Sequence, residues 1–161
     1  MKHISIILAF LMTLSLPVSA QDFAKGSAAY DSQDFATALK EWKPLAEQGN
    51  ASAQGNVGLI NLYGLGVPQN YKEAIRWFKL GAKQGNGFSQ GHLAGLYLDG
   101  MGVLQNNLLA HMWYNISAVN GYDLGAHNRD AVASGMSHTG IEKAQAMAKK
   151  CMESDYTECG Y

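Results

Sequence analysis

The chain has 161 residues, of which 47% are apolar, 16% charged and 10% aromatic. That length suits one ordinary globular domain and is short for two, and 18 glycines with that apolar fraction argue against a disordered chain. A net charge of −1 excludes a basic nucleic-acid footprint, and two cysteines exclude both a four-thiolate zinc site and a disulfide-dense scaffold.

Lys2 and His3 precede an uncharged run from Ile4 to Leu16. Pro17 breaks it, and Val18-Ser19-Ala20 places small residues where a signal peptidase would cut. This is the three-part pattern of a secretory leader over residues 1–20. The apolar run of 13 residues is shorter than the roughly 20 that a membrane span needs. The expectation is cleavage after Ala20, no membrane span in the mature chain Gln21–Tyr161, and a periplasmic or secreted location. In an oxidising compartment Cys151 and Cys159 would pair. With seven residues between them, the bridge would clip the last helix to the segment that folds back from it, worth about 2.5 kcal/mol at most. A reactive thiol pair beside Lys149 and Lys150 is the alternative.

The remainder is periodic. Gly49, Gly85 and Gly121 are spaced by 36, as are Ala38, Ala74, Ala110 and Ala146. Trp77 with Trp113, and Trp42 with Phe78 and Tyr114, keep the same step, and so do Gly64, Gly66, Val67, Gln69 and Asn70 with their counterparts from Gly100 to Asn106. Four such units, at approximately 21–50, 51–86, 87–122 and 123–161, fill the mature chain.

Each unit reads as two helices. The first unit opens with a helix of about Asp22 to Tyr30. Phe35 to Gln48 follows and carries Pro44, which removes the bond to the Lys40 carbonyl and should bend the helix. In the second unit Ala51 to Tyr63 ends at Gly64-Leu65-Gly66, where glycines permit positive φ. Asn70 with Glu73 forms an N-cap and its reciprocal partner, and Tyr71 to Lys83 follows at helical spacing before Gly85. Ala74 and Ala82 let helices approach closely, and the aromatics at 77/78 and 113/114 fill the space between neighbouring pairs. The three tryptophans are thereby read as packing and not as a ligand cage. The fourth unit departs from the pattern, as an end unit should. It keeps Ala146, exchanges the aromatic pair for Lys149 and Lys150, and opens its last helix with Thr139 and Glu142 as a capping box. The fold expected is all-α, an α/α solenoid of about four helix-turn-helix repeats with degenerate ends.

Catalytic patterns are scarce. Gly87-Phe88-Ser89-Gln90-Gly91 matches a nucleophile elbow, but that turn needs a strand before it, and here a helix precedes it. His92, His111, His127 and His138 include no pair at i, i+4 and no His-Glu-x-x-His, so neither a metal nor a cofactor is expected. The Gly-x-Gly-Val turns lack the Gly-Lys-Ser/Thr of a phosphate loop. Arg129 and Asp130 read as a surface charge pair.

The stretches VGLINLYGLGVPQNYKEAIRWFKLGAKQGN (57–86) and LAGLYLDGMGVLQNNLLAHMWYNISAVNG (93–121) resemble Sel-1-like repeats, relatives of the tetratricopeptide repeat. Gly64, Gly66-Val67, Glu73-Ala74, Trp77-Phe78, Ala82 and Gly85 carry the likeness in one unit. Tyr97, Gly100, Gly102-Val103, Ala110, Trp113-Tyr114, Ala118 and Gly121 carry it in the next. Asn61, Leu109 and Ser117 depart from the pattern. The resemblance implies an adaptor that binds a protein or peptide. A cysteine-rich branch of the family implies an alternative, a weak hydrolase or β-lactam-binding protein, although that branch carries a Cys-x7-Cys pair in each unit and this chain only one. The first helix of each unit lines the inner face of such a solenoid. By position, Asn56, Leu59, Ile60, His92, Leu96 and Asn128 are the expected partner contacts.

Overall fold

The computed structural model describes residues 20–160. Among them lie eight helices and no strand: α1 (Ala20–Asp31), α2 (Phe35–Glu47), α3 (Ala51–Tyr63), α4 (Tyr71–Ala82), α5 (Gly87–Asp99), α6 (Asn107–Val119), α7 (Gly125–Ala133) and α8 (His138–Glu153). The expected leader falls, apart from Ala20, outside the described residues. None of the described helices is long and apolar enough to cross a membrane. Consecutive helices pack from α1 through α7, and α3 also touches α5. The architecture is the α/α solenoid that the 36-residue step predicts.

The turns inside the hairpins follow from glycine and glutamine. Gly64 and Gly100 end α3 and α5 in the left-handed region, with φ of 67° and 69°. A side chain at either would also press on the backbone of Gln69 or Gln105. Those glutamines donate from Nε2 to the carbonyls of Leu62 and Leu98, both at 2.8 Å, and so satisfy two of the carbonyls that a helix end leaves open. Asn70 and Asn106 then cap α4 and α6 through their Oδ1 atoms. The expected reciprocal bond from Glu73 is not what forms. The Asn70 N–H donates to the Asn61 carbonyl at 2.9 Å, and the Glu73 carboxylate pairs with Arg76 at 2.6 Å. That guanidinium holds the carboxyl below its ordinary range and lies 4.0 Å over the Trp77 ring.

Packing between hairpins rests on adjacent residues that face opposite ways. Trp77 belongs to a cluster with Trp42, Ala46, Val57 and Ile60, whereas Phe78 belongs to the next, with Leu93, Ala94, Met112 and Trp113. All three tryptophans are buried. A polar ladder repeats along the same seam. Gln54 donates to the Ala46 carbonyl and Gln90 to the Ala82 carbonyl, each at 3.0 Å. The Gln54 and Gln90 oxygens in turn accept from Gln84 and Asn120, each at 2.8 Å. Each buried glutamine thus ties the end of one hairpin to the start of the next, and burial strengthens the bond.

The fourth unit differs from expectation. Helices α7 and α8 both pack on α6 and hardly on each other, so they do not form a regular hairpin. Ala146 is exposed; Ala144, Ala148 and Cys151 are the buried residues of α8. The repeat's register is lost where α8 packs on α6 through Ala144, Ala148 and Cys151. Ser137, and not Thr139, caps α8 by accepting from the Gly140 N–H at 3.1 Å, and Glu142 pairs with His138 instead. Lys149 and Lys150 are exposed and pair with Glu153 and Glu158. Cys151 and Cys159 form a disulfide, buried, with Cα atoms 4.6 Å apart. The bridge closes the loop that delivers Tyr156 to Asn120, where the phenol accepts from the amide at 2.9 Å. Tyr156 stands 36 residues after Asn120 and ends the ladder.

Replacing Gln90 by Ala should lower the unfolding free energy by about 2 kcal/mol, and Gln48→Ala, at an exposed site, should stay within about 0.5 kcal/mol. Urea unfolding followed by circular dichroism measures both. Under the same assay, Cys151→Ala with Cys159→Ala should cost about 2 kcal/mol, and reductant should no longer change the variant's midpoint.

Candidate functional site

The inner face carries two clefts. The proximal one, about 270 Å³, is lined by Ser27, Tyr30 and Asp31 of α1, Trp42 of α2, Asn56 and Leu59 of α3, and Phe88 of α5. The distal one, about 210 Å³, is lined mainly by α3 and α5, with Tyr114 of α6, Asn128 of α7 and Tyr122 of the intervening turn. First helices supply most of both walls, because α3 packs on α5 and the array closes on that side.

A ridge of stacked rings separates the clefts. His92 lies flat on Phe78, with ring centres 5.2 Å apart and planes 11° from parallel. The edge of Phe88 meets it at 4.4 Å, and Tyr122 stands 6.2 Å away. Gly91 makes room for Tyr122, since a side chain there would run into that ring. Burial among these rings pushes the His92 imidazole down to about 4, so it is neutral at physiological pH. Tyr114 is pushed up to about 12, by burial first and then by the charge of Asp99, while a hydrogen bond with Asn128 pulls the other way. It therefore keeps its phenolic proton.

The expected contacts divide. Asn56 and Leu59 line the proximal cleft, and His92 and Asn128 the distal one. Ile60 is a correction: at 0% exposure it packs in the core, while Leu96, at 1%, forms the floor of the distal cleft. Helical angles explain this. Counting from Asn56 or His92, position i+3 turns back by about 60° and i+7 by about 20°, whereas i+4 runs forward by about 40°. The groove lies on the backward side and the core on the forward side. The same angles place Tyr63 and Asp99, the i+7 residues, on the distal cleft. Sequence reasoning missed both, although their 36-residue separation was a usable signal. It also missed Tyr114 and Tyr122, which reach the cleft from other elements.

Ser89 lies inside α5 and is buried, so Gly87–Gly91 is helix and not a nucleophile elbow. Among the described residues no group of three or more His, Cys, Asp or Glu could hold a metal ion.

The family model for the Sel1 repeat matches residues 51–86 and 88–122. A Sel1 repeat protein from Oxalobacter formigenes is 30% identical, with a TM-score of 0.55 over 72% of this chain and 97% of that one. A protective antigen of uropathogenic Escherichia coli strains that displays an SLR fold gives a TM-score of 0.78 at 23% identity, over 86% of this chain. This chain spans 30% of that antigen's length, and the likeness is one of fold. The search of curated proteins finds no match.

The shielded imidazole has a consequence for stability. Above pH 6.5 the ring is neutral both folded and unfolded. As pH falls through 6.5, the unfolded chain takes up a proton that the folded cleft resists until about 4. Stability present above pH 6.5 is therefore lost between those values, by about 2 kcal/mol after allowance for the solvent that reaches the ring. His92→Gln should lose less stability between pH 7 and pH 4.5 than its parent, by about that amount. Denaturant titrations at the two pH values decide it, and equal losses would mean that the ring is not shielded.

Proposed function

The chain belongs to the Sel1 repeat family, whose members generally serve as protein-interaction scaffolds, and from that premise we propose that it is an exported scaffold holding an extended segment of a partner protein along its inner face. The observation that carries this reading is the pair of clefts on one face, separated by a ring-stacked ridge. Each is smaller than the roughly 300–1,000 Å³ of a small-molecule site and is on the scale of one large side chain. Asn56 and Asn128 supply amides, Leu59 and Tyr63 apolar surface, and the phenol of Tyr114 a fixed donor. A preformed groove of this kind limits the ordering cost of binding to that of the incoming segment. Export is supported by the leader pattern in residues 1–20 and by the Cys151–Cys159 bridge, which persists in an oxidising compartment.

A photo-crosslinking residue placed at Leu59 or at Tyr63 should capture one and the same partner in the living host. Placed at Lys72, on the outer helix α4, it should not. Asn56→Ala combined with Asn128→Ala should reduce the captured fraction at least tenfold with little change in melting temperature. Capture that is equal at Lys72 would refute an inner-face site. For export, mass spectrometry of the protein from a periplasmic extract should give a chain beginning at Gln21.

A further inference from the structure

The charges of the inner face lack counterparts. Asp31 is the single charged residue lining the proximal cleft, and Asp99 the single one lining the distal cleft. Among the described residues neither makes an ion pair. Outside the clefts, Glu41, Glu73, Asp130, Glu153 and Glu158 are each paired with lysine or arginine, while among the described residues Asp34, Glu47, Asp123 and Asp155 are, like the two cleft acids, in no ion pair. Neither α3 nor α5 contains a lysine or an arginine, whereas α2 and α4 carry Lys40, Lys43, Lys72, Arg76 and Lys79. Arg129 is the basic residue nearest the distal cleft in sequence, and its guanidinium donates to the Asp130 carboxylate and to the Asn115 side-chain Oδ1. His92 adds no positive charge at neutral pH.

Aromatic surface accompanies each acid. Tyr63, Tyr114 and Tyr122 line the distal cleft with Asp99, and Tyr30, Trp42 and Phe88 line the proximal cleft with Asp31. A carboxylate in a small space lined by aromatic residues suits a cation on a long apolar stem, which finds ionic attraction and ring surface there. Resting on the inner-face reading above, we infer that the groove selects a cationic peptide, with one lysine or arginine side chain entering the distal cleft at Asp99 and a second reaching Asp31. Helices α1 and α5 are two first-helix spacings apart, on the order of 20 Å. An extended chain crosses that distance in about six residues, so the two basic residues stand about six apart.

The test starts from a randomised twelve-residue peptide library selected on the mature protein, with binding of individual peptides read by fluorescence anisotropy. Selected peptides should carry two basic residues five to seven apart. Replacing both by Gln should weaken binding at least tenfold, and replacing both by Glu should abolish it. Asp99→Asn should weaken the parent peptide about fivefold or more with an unchanged thermal melt, while Glu153→Gln, far from the groove, should change nothing. Peptides that bind equally well with Gln, or that ignore Asp99→Asn, would overturn the charge selection. If those same peptides lose binding to Asn56→Ala/Asn128→Ala, the inner-face reading survives that failure. Peptides indifferent to the asparagine pair overturn both statements, as does a library that yields no binder.

Discussion

Trp77 and Phe78 are neighbours in the chain, yet their rings enter different interfaces, one shared with the hairpin before and one with the hairpin after. The rest of the structure depends on this division. A single αα hairpin has two apolar faces and cannot bury both, so its stability is borrowed from the units on either side. Aromatic pairs at a 36-residue step supply the apolar part of that contact. Gln54 and Gln90 supply its polar part, each reaching back to the last turn of the preceding hairpin. Helix ends leave carbonyls without partners, and a buried amide that satisfies one also fixes the angle at which the next hairpin leaves.

The regular pattern changes after α6. At the carboxyl end the aromatic pair gives way to Lys149 and Lys150, and the hairpin geometry gives way with it. Both α7 and α8 lean on α6, and a disulfide closes the loop that follows. The last rung of the amide ladder is a tyrosine, Tyr156, held over Gly85 and Asn120. The short covalent loop thus supplies to Asn120 the contact that Asn120 and Gln84 supply to the buried glutamines earlier in the array.

The inner face follows from the same geometry. Because the first helices draw together, residues at i, i+3 and i+7 on α3 and α5 face a shared groove, and those at i+4 face the core. Asn56 and His92 occupy equivalent places one repeat apart, as do Tyr63 and Asp99. The repeat fixes backbone positions and leaves these side chains free to differ, which is how one scaffold presents amide, imidazole, phenol and carboxylate along a single line. Their electrostatic asymmetry, with acid inside and most of the basic residues on α2, α4 and α8, is a property of the assembled face and of no single helix.

Helix boundaries, turns and the solenoid class were legible in the chain, since they are local matters. Ala51–Tyr63 ends where two glycines permit positive φ, Asn70 caps because its short side chain reaches its own backbone, and the 36-residue step announces stacking. The disulfide was legible as a pairing of the two cysteines. Other features need the helices to be in place first. Gln90 looks like any polar residue until Ala82 and Asn120 close around it. Leu96 and Ile60 share a helical stripe with His92 and Asn56, and only the packing direction sends them to the core. Tyr114 and Tyr122 join the groove from separate elements, and α8 leaves the repeat's register by packing on α6 through Ala144 and Ala148. Propensity and periodicity act over a few turns of one helix, whereas burial and charge environment are set by segments that meet in space from 30 or more residues away.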